Sequence, residues 1–475
     1  MERYQKIILY TSAIAFIFVN CVAIRREIFL VPLLSAFLVG LYLLVYHFDW
    51  SLYLMAFITP LSVTLREISR FNMDISLPSE AIMILITLLF LFRTLYGYPI
   101  NRKLLTHPVS IAIYVYLFWL LITSITSELP LVSFKFFASK LWFIIACYFA
   151  IQQLFQKNRQ HIVRFFTAYA LGLGFVVIIT TLKHASMGFS EVTGHWIMSP
   201  FYNDHTAYGA ILAFFLPIVI AFIFLPENKK WVKTLYITLT VIFGIAFFLS
   251  YSRAAWISFL AAILVWIILK MRIKLSWVVI GLVVLGAAFF TFSDEILYRM
   301  SRNTQASSGN LKEQLQSITN ITTDDSNVER INRWVAAGGL IEERPVFGWG
   351  PGTYQFVYAP FQRGKYKTAI STNFGDGGNA HSEYIGPFAE GGVLGLLTVF
   401  TLVVMILYYG VVTYIRSSDK TVRLITLALT FALVTYAVHG VLNNFLDTDK
   451  LALPYWAAFA AIVVLNQNVK EEATN

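Results

Sequence analysis

The sequence contains few charged residues: only 13% of its 475 residues are Asp, Glu, Lys or Arg, against roughly 25% in an ordinary soluble domain. Hydrophobic residues make up 58% of the chain, and the mean hydropathy is +0.68. This balance excludes a soluble globular protein and indicates that the membrane is the main solvent. The formal charge of +10 comes from short Lys and Arg clusters between apolar runs. We therefore expect no nucleic-acid partner.

Cysteines and recognisable cofactor motifs are also scarce. The two cysteines, Cys21 and Cys147, lie in or beside hydrophobic segments without CxxC or Cys/His spacing, so we predict neither a disulfide nor a zinc site. The chain has no Walker loop, HExxH or GxSxG motif, and Asp324 and Asp325 are adjacent rather than spaced. We expect no metal and no cofactor.

Hydrophobic runs long enough to cross roughly 30 Å of hydrocarbon recur along the whole chain, and they predict about 12–14 transmembrane helices. The first run follows the residues MERYQK without a small-residue cleavage site, so we interpret it as an uncleaved helix. The fold class is therefore an all-α polytopic membrane protein. The predicted spans are 7–24, 28–47, 50–66, 79–97, 109–126, 136–154, 165–182, 205–225, 234–251, 254–270, 275–292, 384–414, 421–440 and 453–466.

One long polar loop, roughly residues 293–383, separates a bundle of about 11 spans in residues 1–292 from the helices and short tail of residues 384–475. Its Asn303 to Asn327 stretch is rich in Ser, Thr, Asn and Gln, and we expect it to be flexible. Residues 328–343 then predict an amphipathic helix that Ser326 or Asn327 caps and Pro345 ends. The following Gly-Trp-Gly-Pro-Gly run predicts a turn.

Connections that are rich in Lys and Arg alternate along the chain with connections that contain few of them. This alternation predicts the orientation of the spans. The basic connections should be cytoplasmic together with both termini, so the long loop, the 183–204 loop and the turn at residues 251–253 share the opposite face. Arg25 and Arg26 contradict this scheme, and the pairing of the first three segments stays open. The basic connections carry Arg93, Arg102, Lys103, Lys157, Arg159, Lys229, Lys230, Lys233, Lys270, Arg272, Lys274, Arg416, Lys420 and Arg423.

Three arginines on that opposite face are candidates for anion binding, since charged groups at membrane level are costly unless they are paired or functional. Arg253 stands in LSYSRAAW at the start of a helix, where position alone favours an interfacial anchor. Arg330 and Arg333 are neighbours on one face of the loop helix, where two guanidinium groups could clamp an anion. Ordinary pairing of Glu329 with Arg333 on a solvated helix is the alternative.

His381 follows the long loop at its return to the membrane, and a histidine can act as a base near neutral pH. Taken alone, it is more simply a cap or an interfacial hydrogen-bonding group. The convergence of Arg253, Arg330 and His381 on one face favours chemistry on an anionic substrate. Possible further substrate contacts are Lys140, Asn203, Asp204, His205 and Glu383. Asp204 could simply cap its helix, and Lys140 could simply snorkel.

At these residues the sequence resembles the O-antigen ligase and polymerase superfamily of bacterial envelope proteins. The resemblance covers about residues 245–400 and rests on SRAAW, then Arg330 four residues before Trp334, then ERPVFGWGPGTY, then NAHSEYIGPFAEGGVLGL. Ser382 follows the histidine where members of this superfamily often carry Asn. The N-terminal half matches in hydropathy alone.

The resemblance implies a glycosyltransferase of the bacterial inner membrane that takes a glycan from undecaprenyl diphosphate on the periplasmic side, with inversion and without a metal. Arg253 and Arg330 match arginines thought to hold the diphosphate, and His381 matches the proposed base. Arg333 has no clear counterpart and is added to the diphosphate site from its position on the helix.

Three activities share these motifs: ligation of O-antigen to lipid A core, polymerisation of repeat units, and glycan transfer to protein Ser or Thr. We favour the ligase because the loop motifs fit it best. A lipid-linked glycan transporter or flippase is an alternative of another class. Paired broken helices in two halves would support it, and the sequence shows no such pairing.

Overall fold

A computed structural model describes residues 46–65, 75–271, 325–364 and 378–474, together with Lys367 and scattered positions between residues 11 and 42. Several sequence predictions fall wholly or largely outside these residues. They are the spans at 7–24, 28–47 and 275–292, the conflict at Arg25 and Arg26, and the flexibility of the Asn303 to Asn327 stretch.

The described chain consists almost entirely of helices. A short hairpin is the exception, in which β1 (Val63–Thr64) and β2 (Ser76–Leu77) pair antiparallel with Val63 opposite Leu77. The helices are α1 (Phe48–Ile58), α2 (Ser79–Leu95), α3 (Arg102–Leu105), α4 (Pro108–Ile125), α5 (Pro130–Phe155), α6 (Gln160–Ser186), α7 (Glu191–Gly194), α8 (His205–Ile223), α9 (Lys230–Leu249), α10 (Arg253–Lys270), α11 (Asp325–Glu343), α12 (Tyr354–Val357), α13 (Ile385–Arg416), α14 (Lys420–His439) and α15 (Asp449–Thr474).

Nine of the described helices are long and apolar enough to cross a membrane, namely α4 to α6, α8 to α10 and α13 to α15. They confirm the predicted class, an all-α polytopic membrane protein. The predicted span at 50–66 was wrong in extent: α1 has only 11 residues and ends at Ile58. A 3₁₀ turn containing Pro60 follows it, because proline has no N–H to continue the helical hydrogen bonds.

α15 lies at the centre of the bundle, since 89% of its spanning part is buried, against 22% for α9 and α10 at the periphery. Its sequence explains this position. Alanines let neighbouring backbones approach closely, which is how helices associate without a hydrophobic driving force in lipid. The helix is also held by polar contacts, since Asn466 bonds to Thr413 of α13 at 2.9 Å and to His107 at 3.2 Å. The fully buried alanines are Ala452, Ala457, Ala458, Ala460 and Ala461.

The loops meet at two ends of the bundle, as the distribution of basic residues predicts. At one end, Lys157 pairs with Asp49 at 2.7 Å, and Arg159 pairs with Asp419 and with Glu227. At the other end, the hydroxyl of Tyr251, in the turn before α10, donates to the carbonyl of Phe189 at 3.0 Å. The long loop reaches the same end through contacts described below. The predicted grouping of the connections is therefore confirmed within the described residues.

The contact between α6 and α1 gives a stability prediction with a matched control. A Cβ at Gly172 would lie 2.0 Å from the carbonyl oxygen of Phe57, whereas a Cβ at Gly244 would meet no described atom within 4 Å. We expect Gly172→Ala to destabilise the fold by about 1–3 kcal/mol through overpacking. Gly244→Ala should leave stability unchanged or slightly higher, because alanine favours helices. Thermal unfolding in detergent measures both variants, and equal midpoints would contradict the close packing of α6 on α1.

Candidate active site

The helix α11 carries the two loop arginines. It begins at Asp325, three residues before the predicted start, so Ser326 and Asn327 lie in its first turn and do not cap it. The apolar face of α11 packs into a small core of its own. That core contains Ala336, Ala337, Leu340, Tyr354, Tyr358, Ala380 and Ala389.

The glycine-rich segment after α11 is a turn, as predicted, and it attaches the long loop to α13. The N–H of Gly350 donates to the carbonyl of Glu390 at 2.8 Å, and the Glu390 carboxylate accepts from the N–H of Tyr354 at 3.0 Å. α13 is kinked at Gly392, whose φ is +66°. A Cβ there would lie 2.0 Å from the carbonyl oxygen of Val346, so the close approach of the turn requires glycine.

Arg333 is buried in an ion pair. Its Nε donates to Glu329 at 2.8 Å, its Nη1 donates to the carbonyl of Asn379 at 3.0 Å, and its guanidinium lies 5.4 Å from the ring centre of Tyr358. The pairing of Glu329 with Arg333 is thus present, but in a buried site rather than on a solvated surface. A Cβ at Gly378 would lie 1.8 Å from Nη1. Arg333 therefore holds the backbone that leads to His381.

Arg330, one turn earlier, faces the end of α14. Its Nε donates to the carbonyl of Leu442 at 3.3 Å, and its side chain is half-buried. Residues three apart on a helix share a face, but these two arginines have different partners. Arg333 supports the loop before His381, whereas Arg330 reaches the turn after α14.

The charges of Arg330, Arg333 and Asp204 all act on His381. Its backbone has a φ of +48°, and its N–H donates to the side chain of Asn379 at 3.0 Å. Burial lowers the pKa of His381 to about 4, with further lowering from the charges of Arg333 and Arg330. The charges of Asp204 and Glu329 act in the opposite direction. His381 is therefore neutral at pH 7 and can accept a proton.

Glu383 joins the segment that carries His381 to the turn between α14 and α15. Its N–H donates to the carbonyl of Gly440 at 2.7 Å. Its carboxylate accepts from the N–H groups of Phe445 and Leu446, both at 2.9 Å, and from the hydroxyl of Tyr436. A carboxylate with three donors on one oxygen is held firmly. Glu383 therefore positions the loop that contains His381.

Lys140 supports the same turn from α5. Its Nζ pairs with Asp447 at 2.6 Å and donates to the carbonyl of Leu446 at 2.8 Å, and the side chain is buried. Lys140 therefore does not simply snorkel, because its ammonium is buried and is paired with the exposed carboxylate of Asp447, which offsets the cost of taking it out of water.

Arg253 is the first residue of α10 and is half-buried. Ser252 caps this helix by accepting from the N–H of Ala255 at 3.4 Å. Asp204 caps the neighbouring α8, where it accepts from the N–H of Ala207 at 2.8 Å and from the hydroxyl of Thr206 at 2.6 Å. The predicted capping role of Asp204 is confirmed, and its charge also acts on His381. α8 and α10 pack closely, so both N-termini lie at one end of the bundle.

The remaining predicted contacts lie beside this cluster. The ring of His205 stacks on that of His195, with ring centres 4.3 Å apart. Asn203 is exposed next to the Asp204 cap, and Lys135 is exposed on α5. In the part of the chain that the structure describes, no three His, Cys, Asp or Glu side chains are grouped so that they could hold a metal ion.

Sequence reasoning missed His439, the last residue of α14. The side chain is 1% exposed, and the charges of Asp204 and Arg330 act on it, as does the main chain of Ala254 beside Arg253. An ionisable residue at the end of a membrane span is a functional candidate by default. That rule would have selected His439, but the apolar run around it was read only as a span.

The residues brought together are suited to one task. Arg253 and Arg330 offer N–H donors to an anion, and the charge of Arg330 acts on the neutral imidazole of His381. Half-buried arginines interact more strongly with phosphate oxygens than they would in bulk water. The arrangement can hold a diphosphate while a base accepts a proton from a second substrate.

Comparison with known proteins agrees with this chemistry. Residues 238–400 match the family model described as O-antigen ligase. The match includes Arg253, Arg330, Arg333, His381 and Glu383, whereas His439 lies beyond it. None of the curated proteins matches the chain. Over residues 238–400, this multi-pass membrane protein is thus similar to the O-antigen ligase and polymerase superfamily, whose activity is of the glycosyltransferase type.

Proposed function

We propose that the protein is an O-antigen ligase-like glycosyltransferase of the bacterial inner membrane. It moves a glycan from undecaprenyl diphosphate to an acceptor hydroxyl of lipid A core at the periplasmic face, with inversion and without a metal. The observation that carries the proposal is that the charges of Arg330 and Asp204 act on both His381 and His439, and that His439 also contacts the main chain of Ala254 beside Arg253. These are the residue types that the transfer of a diphosphate-linked sugar needs.

The arginines are assigned to the leaving group. When the sugar leaves, negative charge develops on the diphosphate, and oriented guanidinium groups in a partly dry site stabilise it without a metal ion. The hydrogen bond from Nε of Arg330 to the carbonyl of Leu442 orients the guanidinium before the donor binds. Arg253 adds its charge at the first turn of α10, where the helix dipole also favours an anion.

His381 is assigned as the base. The acceptor oxygen forms a bond to the anomeric carbon from the face opposite the diphosphate, and the bond between that carbon and the diphosphate oxygen breaks. The hydroxyl proton passes to the neutral imidazole, and the bonding electrons leave with the diphosphate. One displacement of this kind inverts the anomeric centre. The left-handed backbone and the Asn379 contact hold His381 in place for this step.

Arg333 is assigned to positioning in this scheme. Its three described contacts, with Glu329, Asn379 and Tyr358, occupy the guanidinium inside the loop. Its charge still contributes to the positive potential around His381. We therefore assign direct diphosphate contact to Arg253 and Arg330, and support of the base to Arg333.

Replacement of the base and of an arginine should have separable effects. His381→Ala should lower transfer by roughly 10²- to 10⁴-fold because the acceptor loses its base, with donor binding largely preserved. Arg330→Ala should weaken donor binding by about ten-fold or more, as expected for a hydrogen bond to a charged group. Both follow from transfer and binding assays on purified protein with lipid-linked glycan.

The exposed Arg363, in the same loop, supplies a control because Arg363→Ala also removes one cation. It should retain normal transfer. Unchanged turnover in His381→Ala would remove the base assignment, and full activity in Arg330→Ala would remove that arginine from the site.

The low pKa of His381 predicts the pH dependence of transfer. In the free enzyme the imidazole loses its proton well below pH 6.5, so kcat/KM for the donor should stay high on the acid side until the pH falls far below that value. A bound diphosphate favours the imidazolium form, so the acid limb of kcat should lie at higher pH. Rate profiles at constant ionic strength test this order. An acid limb near pH 6.5 in both profiles would contradict it.

A deletion strain separates the ligase from the alternatives. Loss of all O-antigen with accumulation of lipid-linked glycan is the outcome we expect. One repeat unit left on the core would instead indicate a polymerase, and normal lipopolysaccharide with altered glycoproteins would indicate a protein O-oligosaccharyltransferase. Glycan trapped on the cytoplasmic side would indicate a flippase. Lipopolysaccharide banding and glycoprotein profiles provide the measurement.

A further inference from the structure

His439 has an unsatisfied polar atom in a fully buried position. Its Nε2 lies 3.2 Å from the side-chain nitrogen of Asn443, but its Nδ1 makes no hydrogen bond of normal geometry to any described group. The main chain of Ala254 approaches the ring as a hydrogen-bonding partner, but its alignment with Nδ1 falls outside normal hydrogen-bond geometry. A buried polar group without a partner costs about 1–3 kcal/mol. Such a group in a folded protein calls for a functional explanation.

The contact with Asn443 identifies the tautomer. The amide nitrogen of Asn443 is a donor, so Nε2 of His439 accepts, and the ring proton of the neutral imidazole is on Nδ1. The unsatisfied atom is therefore an N–H donor. What it lacks is a well-aligned acceptor, and an anionic oxygen is the strongest kind.

The surroundings of His439 indicate where that acceptor comes from. The charges of Asp204 and Arg330 act on His439, and the same two charges act on His381. The two histidine segments are also joined directly, because the N–H of Glu383 donates to the carbonyl of Gly440 at 2.7 Å. Arg330 reaches Leu442, three residues after His439, and the N–H of Leu442 donates to the carbonyl of His439 at 3.0 Å. His439 thus belongs to the same cluster.

We propose that His439 is a further substrate-contacting residue, which donates a hydrogen bond from Nδ1 to a diphosphate oxygen of the lipid-linked donor. This inference rests on the proposed function. The two imidazoles then have opposite tasks, since His381 accepts a proton from the acceptor and His439 presents an N–H to the leaving group. A neutral donor adds to the site without burying another cation beside Arg330. No bond is made or broken at His439.

Two isosteric amides separate a substrate contact from a structural role. An asparagine side chain places its NH₂ close to the position of Nδ1, whereas a glutamine side chain reaches the position of Nε2. His439→Asn should therefore keep near-normal affinity for undecaprenyl diphosphate. His439→Gln and His439→Ala should bind it about ten-fold more weakly, as expected for loss of a hydrogen bond to a charged group. Purified protein in nanodiscs, titrated with undecaprenyl diphosphate, gives these affinities.

The controls keep the outcomes distinct. Arg363→Ala, which removes an exposed cation from the same loop, should bind like the wild type, and thermal unfolding of each variant identifies any effect of misfolding. Rescue by Gln and not by Asn would show that His439 only holds Asn443, which overturns the inference. Equal affinity in the wild type and all three His439 variants would overturn it as well, while the proposed function stands. Failure of the wild type itself to bind undecaprenyl diphosphate would overturn the proposed function and this inference together.

Discussion

The carboxylate of Glu383 holds the turn between α14 and α15, and the geometry of the candidate site depends on this junction. Backbone N–H groups of a turn that are covered by the protein must find partners inside it. Glu383 accepts from two of them, at Phe445 and Leu446, and Lys140 donates to the carbonyl of Leu446 from the other side. Because Glu383 is two residues after His381, the same bonds connect the base to the end of α14.

On the other side of His381, the backbone is held by the buried ion pair of Arg333 and Glu329. Arg333, held by Glu329, binds the carbonyl of Asn379, and the Asn379 side chain accepts from the N–H of His381. Breaking a buried pair leaves an uncompensated charge, which typically costs about 3–5 kcal/mol. The backbone around His381 is thus fixed from both directions, and Arg330 is left to face the space beside Asp204. Positioning groups and reacting groups are different residues here, although both kinds are charged.

Sequence reasoning was most successful where one property of a segment decides its structure. Length and hydrophobicity identified the spans, and the distribution of basic residues grouped the connections correctly. The glycine-rich segment was recognised as a turn because few other residues adopt positive φ. The errors have local causes: Pro60 shortened α1, and α11 extended through residues that had been read as its cap. Lys140 was misread because its partner Asp447 is 307 positions away in the chain.

The sequence by itself was enough to infer that the chain lies in a membrane and is helical, and that Arg253, Arg330 and His381 are candidate site residues. Each inference follows from residue type and local spacing. Only the tertiary structure decided the roles of the other polar residues. It separated Arg333 from Arg330, made Glu383 and Lys140 supports of a turn, and added His439 to the cluster around Asp204. The reason is physical: whether a buried charge binds substrate or supports the backbone depends on partners far away in sequence, which helix packing alone brings together.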